Sequence, residues 1–177
     1  MPTWIGLFRG INVTGNNRLP MAQLKSELES LAFKNVRTYI QSGNVVFESP
    51  SKSISSLATK IRDRIAEQFG FRPQLLLLGR DDLLAAIAAN PFPLAVAAPQ
   101  SLHFFFLAEP PLQANTEALD AIRLPTEKFK VTNRVFYLLA PAGIGRSKLA
   151  ANAEKYLGVV TTARNYRTVD SLRSMVI

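Results

Sequence analysis

Four polar residues stand at the ends of apolar segments, where core packing alone does not call for them. Arg9 and Asn12 interrupt Leu7-Phe8-Arg9-Gly10-Ile11-Asn12-Val13, and Gln41 and Asn44 interrupt Thr38-Tyr39-Ile40-Gln41-Ser42-Gly43-Asn44-Val45-Val46-Phe47. A guanidinium beside amides at the mouth of a strand is the chemistry of an anion or polar-ligand clamp, and loops so placed are where sites are sought. The same residues also suit a second use, in which the amides tie loop to loop and Gly43-Asn44 serves a tight turn. Both readings of Arg9, Asn12, Gln41 and Asn44 stand at this level.

Two further stretches carry charge in loops. In Gly143-Ile144-Gly145-Arg146-Ser147-Lys148, glycines lead into a helix that Ser147 can cap, with Arg146 and Lys148 alongside. That is a generic phosphate cradle, although the Gly-x-x-x-x-Gly-Lys-Ser/Thr spacing of a P-loop is absent. In Arg164-Asn165-Tyr166-Arg167-Thr168, two arginines flank an aromatic ring and can clasp a base or a phosphate, or Thr168 and Asn165 can simply organise a helix start. Acid–base chemistry has little to draw on. His103 is the single histidine, cysteine is absent, and the carboxylates are too scattered for a catalytic pair or a metal cluster. No metal and no cofactor is therefore expected.

The chain of 177 residues carries 21 basic and 13 acidic groups, a formal charge of +8. Such an excess attracts phosphates and polyanions. With hydrophobic residues at 47%, the chain is expected to fold throughout. No apolar run is long enough to span a bilayer, since Ala85 to Ala98 is broken by Asn90, Pro91 and Pro93. The start, Met1-Pro2-Thr3-Trp4, lacks a basic region followed by an apolar one, so no export signal is expected and the location is read as cytoplasmic.

The elements that must position these residues follow from periodicity. Thr3 to Arg9 is predicted as a strand, and Met21, Leu24, Leu28 and Leu31 form a helical stripe with Pro20 at its first position. Val36 to Ile40 and Asn44 to Glu48 are predicted as a hairpin turned at Ser42-Gly43. Ile54, Leu57, Ile61, Ile65 and Phe69 mark a second helix stopped by Gly70, and Gln74 to Leu78 a buried strand. The order is β-α-β-β-α-β, the split βαβ arrangement of ferredoxin-like folds. A linking helix, Asp81 to Ala89, precedes a second round: strand Leu102 to Leu107, helix Thr116 to Ile122, hairpin Glu127 to Thr132 with Arg134 to Leu139, helix Ser147 to Leu157, and a last helix Thr168 to Val176. The expected fold is α+β, with two ferredoxin-like halves of antiparallel-rich sheets produced by internal duplication. The expected organisation is residues 1–79 as the first half, 80–100 as a linking helix and Pro-rich loop, and 101–177 as the second half with a C-terminal helix. Leu75 to Leu78 and Phe104 to Leu107 do not alternate, so both sheet faces are expected to be covered, by the other half or by a second subunit.

The two opening motifs, with Asn90-Pro91-Phe92, Phe106-Leu107-Ala108-Glu109-Pro110-Pro111, Gly145-Arg146-Ser147-Lys148-Leu149 and Thr162-Ala163-Arg164-Asn165-Tyr166-Arg167-Thr168-Val169, resemble the domain of unknown function 1697 family along the chain. The resemblance implies a bacterial α+β protein on ferredoxin-like units and brings no activity with it. Thr14 stands where the family often has glycine after Asn-Val. The functional expectation is a binding domain for a phosphorylated small molecule or nucleotide, monomeric or homodimeric, held by Arg9, Asn12, Gln41, Asn44, Arg146, Ser147, Lys148, Arg164 and Asn165. Electrostatic nucleic-acid binding is the first alternative, and an enzyme using arginine-based electrostatic catalysis the second.

Overall fold

The computed structural model describes residues 1–177. Its first six elements are β1 (Thr3–Arg9), α1 (Met21–Ser30), β2 (Lys34–Tyr39), β3 (Asn44–Glu48), α2 (Ile54–Phe69) and β4 (Gln74–Gly79). Helix α3 (Arg80–Ala88) and a 3-10 turn (Pro93–Ala97) follow. The chain then forms β5 (Leu102–Leu107), α4 (Thr116–Ile122), β6 (Lys128–Val131), β7 (Val135–Leu139), α5 (Lys148–Leu157), β8 (Thr161–Asn165) and α6 (Tyr166–Val176). The fold is α+β, with two four-stranded antiparallel sheets ordered β2-β3-β1-β4 and β6-β7-β5-β8, and six helices. The chain divides into two compact units, Met1–Ala85 with Ser171–Ile177, and Ala86–Asp170. No helix is long and apolar enough to cross a membrane.

In the first unit, period-two alternation along β1 sends Trp4 and Phe8 to the side covered by α1 and α2. There they pack with Val45, Phe47, Leu24, Leu28, Leu57, Ile61 and Ile65. Helix α2 is capped by Ser53, whose hydroxyl accepts from the Ser56 N–H, and it ends at Gly70. Pro20 is the N-cap of α1 rather than its first residue: its ψ of 137° is extended, and its carbonyl already accepts from Leu24 N. Strand β2, the first of the hairpin, begins at Lys34, two residues earlier than periodicity suggests. An irregular register between Lys34 and Arg37 opens it, and Ile40 falls into the connecting loop.

The second unit repeats the plan. Phe105, Leu107, Phe136 and Leu138 pack against Leu119 of α4 and Leu149, Ala153 and Leu157 of α5. Strand β8, which sequence reasoning did not assign, pairs antiparallel with β5 from His103–Asn165 to Leu107–Thr161. In both sheets the opposite face is buried as well, at Ile5, Leu7 and Val46 in one and Phe104, Phe106 and Tyr137 in the other. Neither sheet therefore offers an open platform on which RNA bases could stack.

Candidate functional site

Strand β1 ends at the exposed Arg9, opposite Gln74 of β4, and runs into the loop that Asn12 organises. Asn12 adopts φ 54°, a left-handed conformation that asparagine tolerates. Its Nδ2 donates to the carbonyls of Leu19 at 2.9 Å and Gln41 at 2.8 Å, and its Oδ1 accepts from Leu19 N at 2.7 Å. Both amide hydrogens are thus committed to backbone, and the two opening motifs are tied to each other through Asn12. Asn44 is fully buried, and its Nδ2 donates to Tyr39 O at 2.9 Å and Ser42 Oγ at 3.2 Å. Its donors are spent in the same way. Arg9 and Gln41 keep exposed side chains beside this tied loop pair.

The junction is close-packed and strained. Phe8 N donates to Gly43 O at 2.8 Å. Gly43 has φ +90°, and a Cβ there would lie 2.5 Å from Ile11 Cδ1 and 2.7 Å from Phe8 Cβ, so only glycine fits. Two β-branched residues, Thr14 at φ 48° and Ile40 at φ 49°, also occupy the left-handed region. Side chains of that type are outliers there.

In the second unit, the Gly143–Lys148 stretch does start a capped helix. Ser147 is buried, and its hydroxyl accepts from Ala150 N at 3.2 Å. The same hydroxyl donates to Glu127 Oε2 at 2.5 Å. Glu127 is 1% exposed, and its other oxygen accepts from Leu124 N at 2.8 Å. The N-terminus of α5 therefore already holds an anion, the protein's own carboxylate, where its dipole favours one. Nothing in the local sequence around Glu127 marks this role, because the partner lies twenty positions away. Arg146 and Lys148 flank the cap with exposed side chains.

Arg164 lies on β8 opposite Phe104, and its Nη1 donates to Ala163 O at 2.8 Å. Burial pushes its pKa down to about 10, which leaves it charged at neutral pH. Asn165 Oδ1 accepts from Thr168 N at 3.0 Å and so caps the start of α6. Arg167 is exposed in the first turn of that helix. Together with residues 98–101 and 141–143 it lines a cleft of about 470 Å³. Gly143 and Arg167, from the two charged stretches singled out in the sequence, thus meet at one cleft.

Near this cleft, His103 is 6% exposed, and its Nδ1 makes no hydrogen bond. Burial lowers its pKa, and the Ser101 backbone offsets this only in part. The side chain belongs to the interior, without a carboxylate in the geometry of a catalytic relay.

The elements define an α+β protein of two antiparallel sheets whose polar loops gather at strand ends. The chain belongs to the family described as Protein of unknown function (DUF1697), which matches residues 1–137. That span takes in the Arg9–Asn12 and Gln41–Asn44 motifs and ends before Arg146. The solved structure of conserved bacterial protein SP0830 from Streptococcus pneumoniae is similar, with a TM-score of 0.74 and 25% identity over 99% of each chain. None of the curated proteins matches.

Proposed function

We propose that the chain binds a small molecule bearing a phosphate group, and that the phosphate enters the cleft lined by residues 98–101, 141–143 and Arg167. The observation that carries this reading is the convergence of Gly143 and Arg167 on one cleft. Arg167 supplies a guanidinium suited to a phosphate's paired oxygens, and it sits in the first turn of α6, where the helix dipole favours an anion. Arg146 and Lys148 add charge from the loop that contributes Gly143. In the other unit, Arg9 and Gln41 are the residues through which a polar ligand would be held, because Asn12 and Asn44 are spent on the loops.

We further infer that each sheet with its helices is ferredoxin-like and that the chain arose by duplication, with 1–79 and 101–177 as the halves and 80–100 as the link. The repeated strand order, β2-β3-β1-β4 and β6-β7-β5-β8, supports this. A bacterial cytoplasm is the setting we assign to the protein.

A thermal-shift screen with inorganic phosphate, adenosine monophosphate and a sugar phosphate, against sulfate at matched ionic strength, tests the binding. A ligand at about a hundred times its Kd adds about 2.7 kcal/mol, which in a chain of this size raises Tm by about 5–10 °C. Arg167→Gln removes most of the shift, and Arg146→Gln with Lys148→Gln removes part of it. Stabilisation by the esters no greater than by sulfate, or unchanged in Arg167→Gln, overturns the proposal.

A further inference from the structure

Between Asp82 and Glu109 the sequence carries no lysine, arginine, aspartate or glutamate, yet the middle of that stretch lies at the surface of the second unit. It is the strap that contains the 3-10 turn Pro93–Ala97. Leu94 is 90% exposed and Val96 40%. Pro93, Ala97 and Ala98 beside them are exposed as well. A run of exposed apolar residues rimmed by polar groups marks an interaction site. The turn is held in shape: Phe92 N donates to Asn90 Oδ1 at 2.9 Å, Ala95 N to Phe92 O at 3.0 Å, and Ala98 N to Ala95 O at 3.0 Å. Leu94 is thereby kept outward on an ordered turn.

The rim beside the strap is cationic. Ala98 caps the turn and, with residues 99–101, forms a wall of the cleft at which Arg167 stands. Residues 141–143 of the same cleft lead on to the exposed Arg146 and Lys148. No carboxylate occurs from Lys128 to Ala153 or from Lys155 to Val169, so the segments that supply these three cations add no negative charge of their own.

We infer that the strap docks on the surface of a bilayer containing anionic phospholipid, with Leu94 and Val96 entering the acyl boundary and Arg146, Lys148 and Arg167 on the headgroup phosphates. Three features favour a lipid surface over a protein. Leu94 projects instead of lining the cleft, and a fluid acyl layer receives such a side chain without a matching pocket. Pro91, Pro93 and Pro99 lack the N–H groups with which a partner strand would pair. The rim carries one sign of charge throughout, which suits a surface of uniform negative potential. Docking of this kind lies on the bilayer and needs no helix that crosses it. It goes beyond the phosphate reading but shares its three cations, since a phospholipid headgroup is itself a phosphate ester. The strap has no part in holding a soluble ester.

The chain has no cysteine, so Leu94→Cys gives a single site for an environment-sensitive fluorophore, and Leu112→Cys, at a position 95% exposed on another loop, gives the control. Vesicles of phosphatidylcholine with about a third phosphatidylglycerol are expected to sediment the protein and to shift the label at position 94 to the blue. Phosphatidylcholine alone does neither, and the label at position 112 stays unshifted. Leu94→Ser with Val96→Ser weakens vesicle binding at least about tenfold and leaves the thermal shift with soluble phosphate esters unchanged. Arg146→Gln, Lys148→Gln and Arg167→Gln together weaken vesicle binding about a hundredfold and lower the ester shift too. The inference is overturned if anionic vesicles fail to bind at low salt, or if the Leu94→Ser, Val96→Ser variant binds them as well as the parent. It is also overturned if the label at position 94 moves only with an acidic amphipathic peptide, which makes the strap a protein-docking surface. Ester binding without vesicle binding sinks the docking alone, and vesicle binding without any ester shift sinks the phosphate reading alone.

Discussion

Removing the carboxylate of Glu127 or the hydroxyl of Ser147 should destabilise the chain strongly, and removing both should cost much less than the sum. Ser147 performs two tasks with one oxygen, accepting from Ala150 N and donating to Glu127. In Ser147→Ala the lost cap costs about 1 kcal/mol, and the carboxylate oxygen left without its donor adds about 1–3 kcal/mol. In Glu127→Ala the Leu124 N–H and the Ser147 hydroxyl lose their acceptor, which costs about 2–4 kcal/mol. The interaction common to both variants is a buried hydrogen bond to a charged group, so a coupling of about 1.5–3 kcal/mol is expected. Urea unfolding of the two single variants and the double variant measures it from the midpoints, provided the m-values agree. Glu127→Gln keeps the shape and an acceptor for Leu124 N but turns an amide NH2 toward the Ser147 hydroxyl, so the contact loses its charge and the Ser147 hydrogen loses its acceptor. Additivity within about 0.5 kcal/mol would refute the claim that Glu127 is the anion held at the α5 N-terminus. A Glu127→Gln variant as stable as the parent would show that shape, and not charge, is what the site requires.

The loop pair of the first unit gives two predictions of opposite sign. Gly43→Ala should cost about 3 kcal/mol or more in urea unfolding, because the positive φ and the 2.5 Å approach to Ile11 Cδ1 act together; a loss below about 1 kcal/mol would show that the loop yields freely. Thr14→Gly should stabilise by about 0.5–1 kcal/mol, since release of the left-handed strain outweighs the extra chain entropy of glycine. A third prediction concerns pH. The folded state holds His103 below its usual pKa of 6.5, so the unfolded state binds the proton first as pH falls. Stability is therefore complete above pH about 7 and declines as the pH drops below about 6.5, with a slope under about 1.4 kcal/mol per unit. His103→Gln should flatten this stretch of the curve, and an unchanged slope in that variant would assign the effect to other groups.

The elements that were legible in the sequence are those whose side chains answer to a single period. Strands β1, β3 and β5 and helix α4 have the bounds read from the sequence, β1 by its alternation and β5 as an unbroken apolar run. The cap at Ser147 and the stop at Gly70 likewise follow from residue type. Strand β8 escaped because Thr161-Thr162-Ala163-Arg164-Asn165 has no apolar alternation; its threonines are buried as neighbours of β5 and not as a hydrophobic run. The start of β2 was misjudged because Asn35 enters the left-handed region inside the irregular stretch, which periodicity does not encode. The candidate residues were visible as polar groups out of place, but their roles depended on partners distant in sequence. Asn12 meets Gln41 across 29 positions and Ser147 meets Glu127 across 20. Arg167 appeared only as one half of an arginine pair, and its cleft includes residues 98–101, which carry no charge.

The bonds that the neutral loop side chains already make restrict how a ligand can be recognised. Asn12 and Asn44 have given both amide hydrogens to the loops, Ser147 has given its hydroxyl hydrogen to Glu127, and the Asn165 oxygen serves the α6 cap. These neutral side chains are therefore not free to read a hydroxyl pattern or a base edge. The exposed side chains of these loops that carry a full charge, Arg9, Arg146, Lys148 and Arg167, are all cations. Recognition built on such groups depends on the charge of the ligand and the shape of the cleft, so phosphate esters of similar size should bind with similar affinity. It should also weaken steeply with salt, because charges at the surface are screened beyond about 8 Å at physiological ionic strength. Binding that discriminates sharply among esters, or that persists at high salt, would require a buried donor.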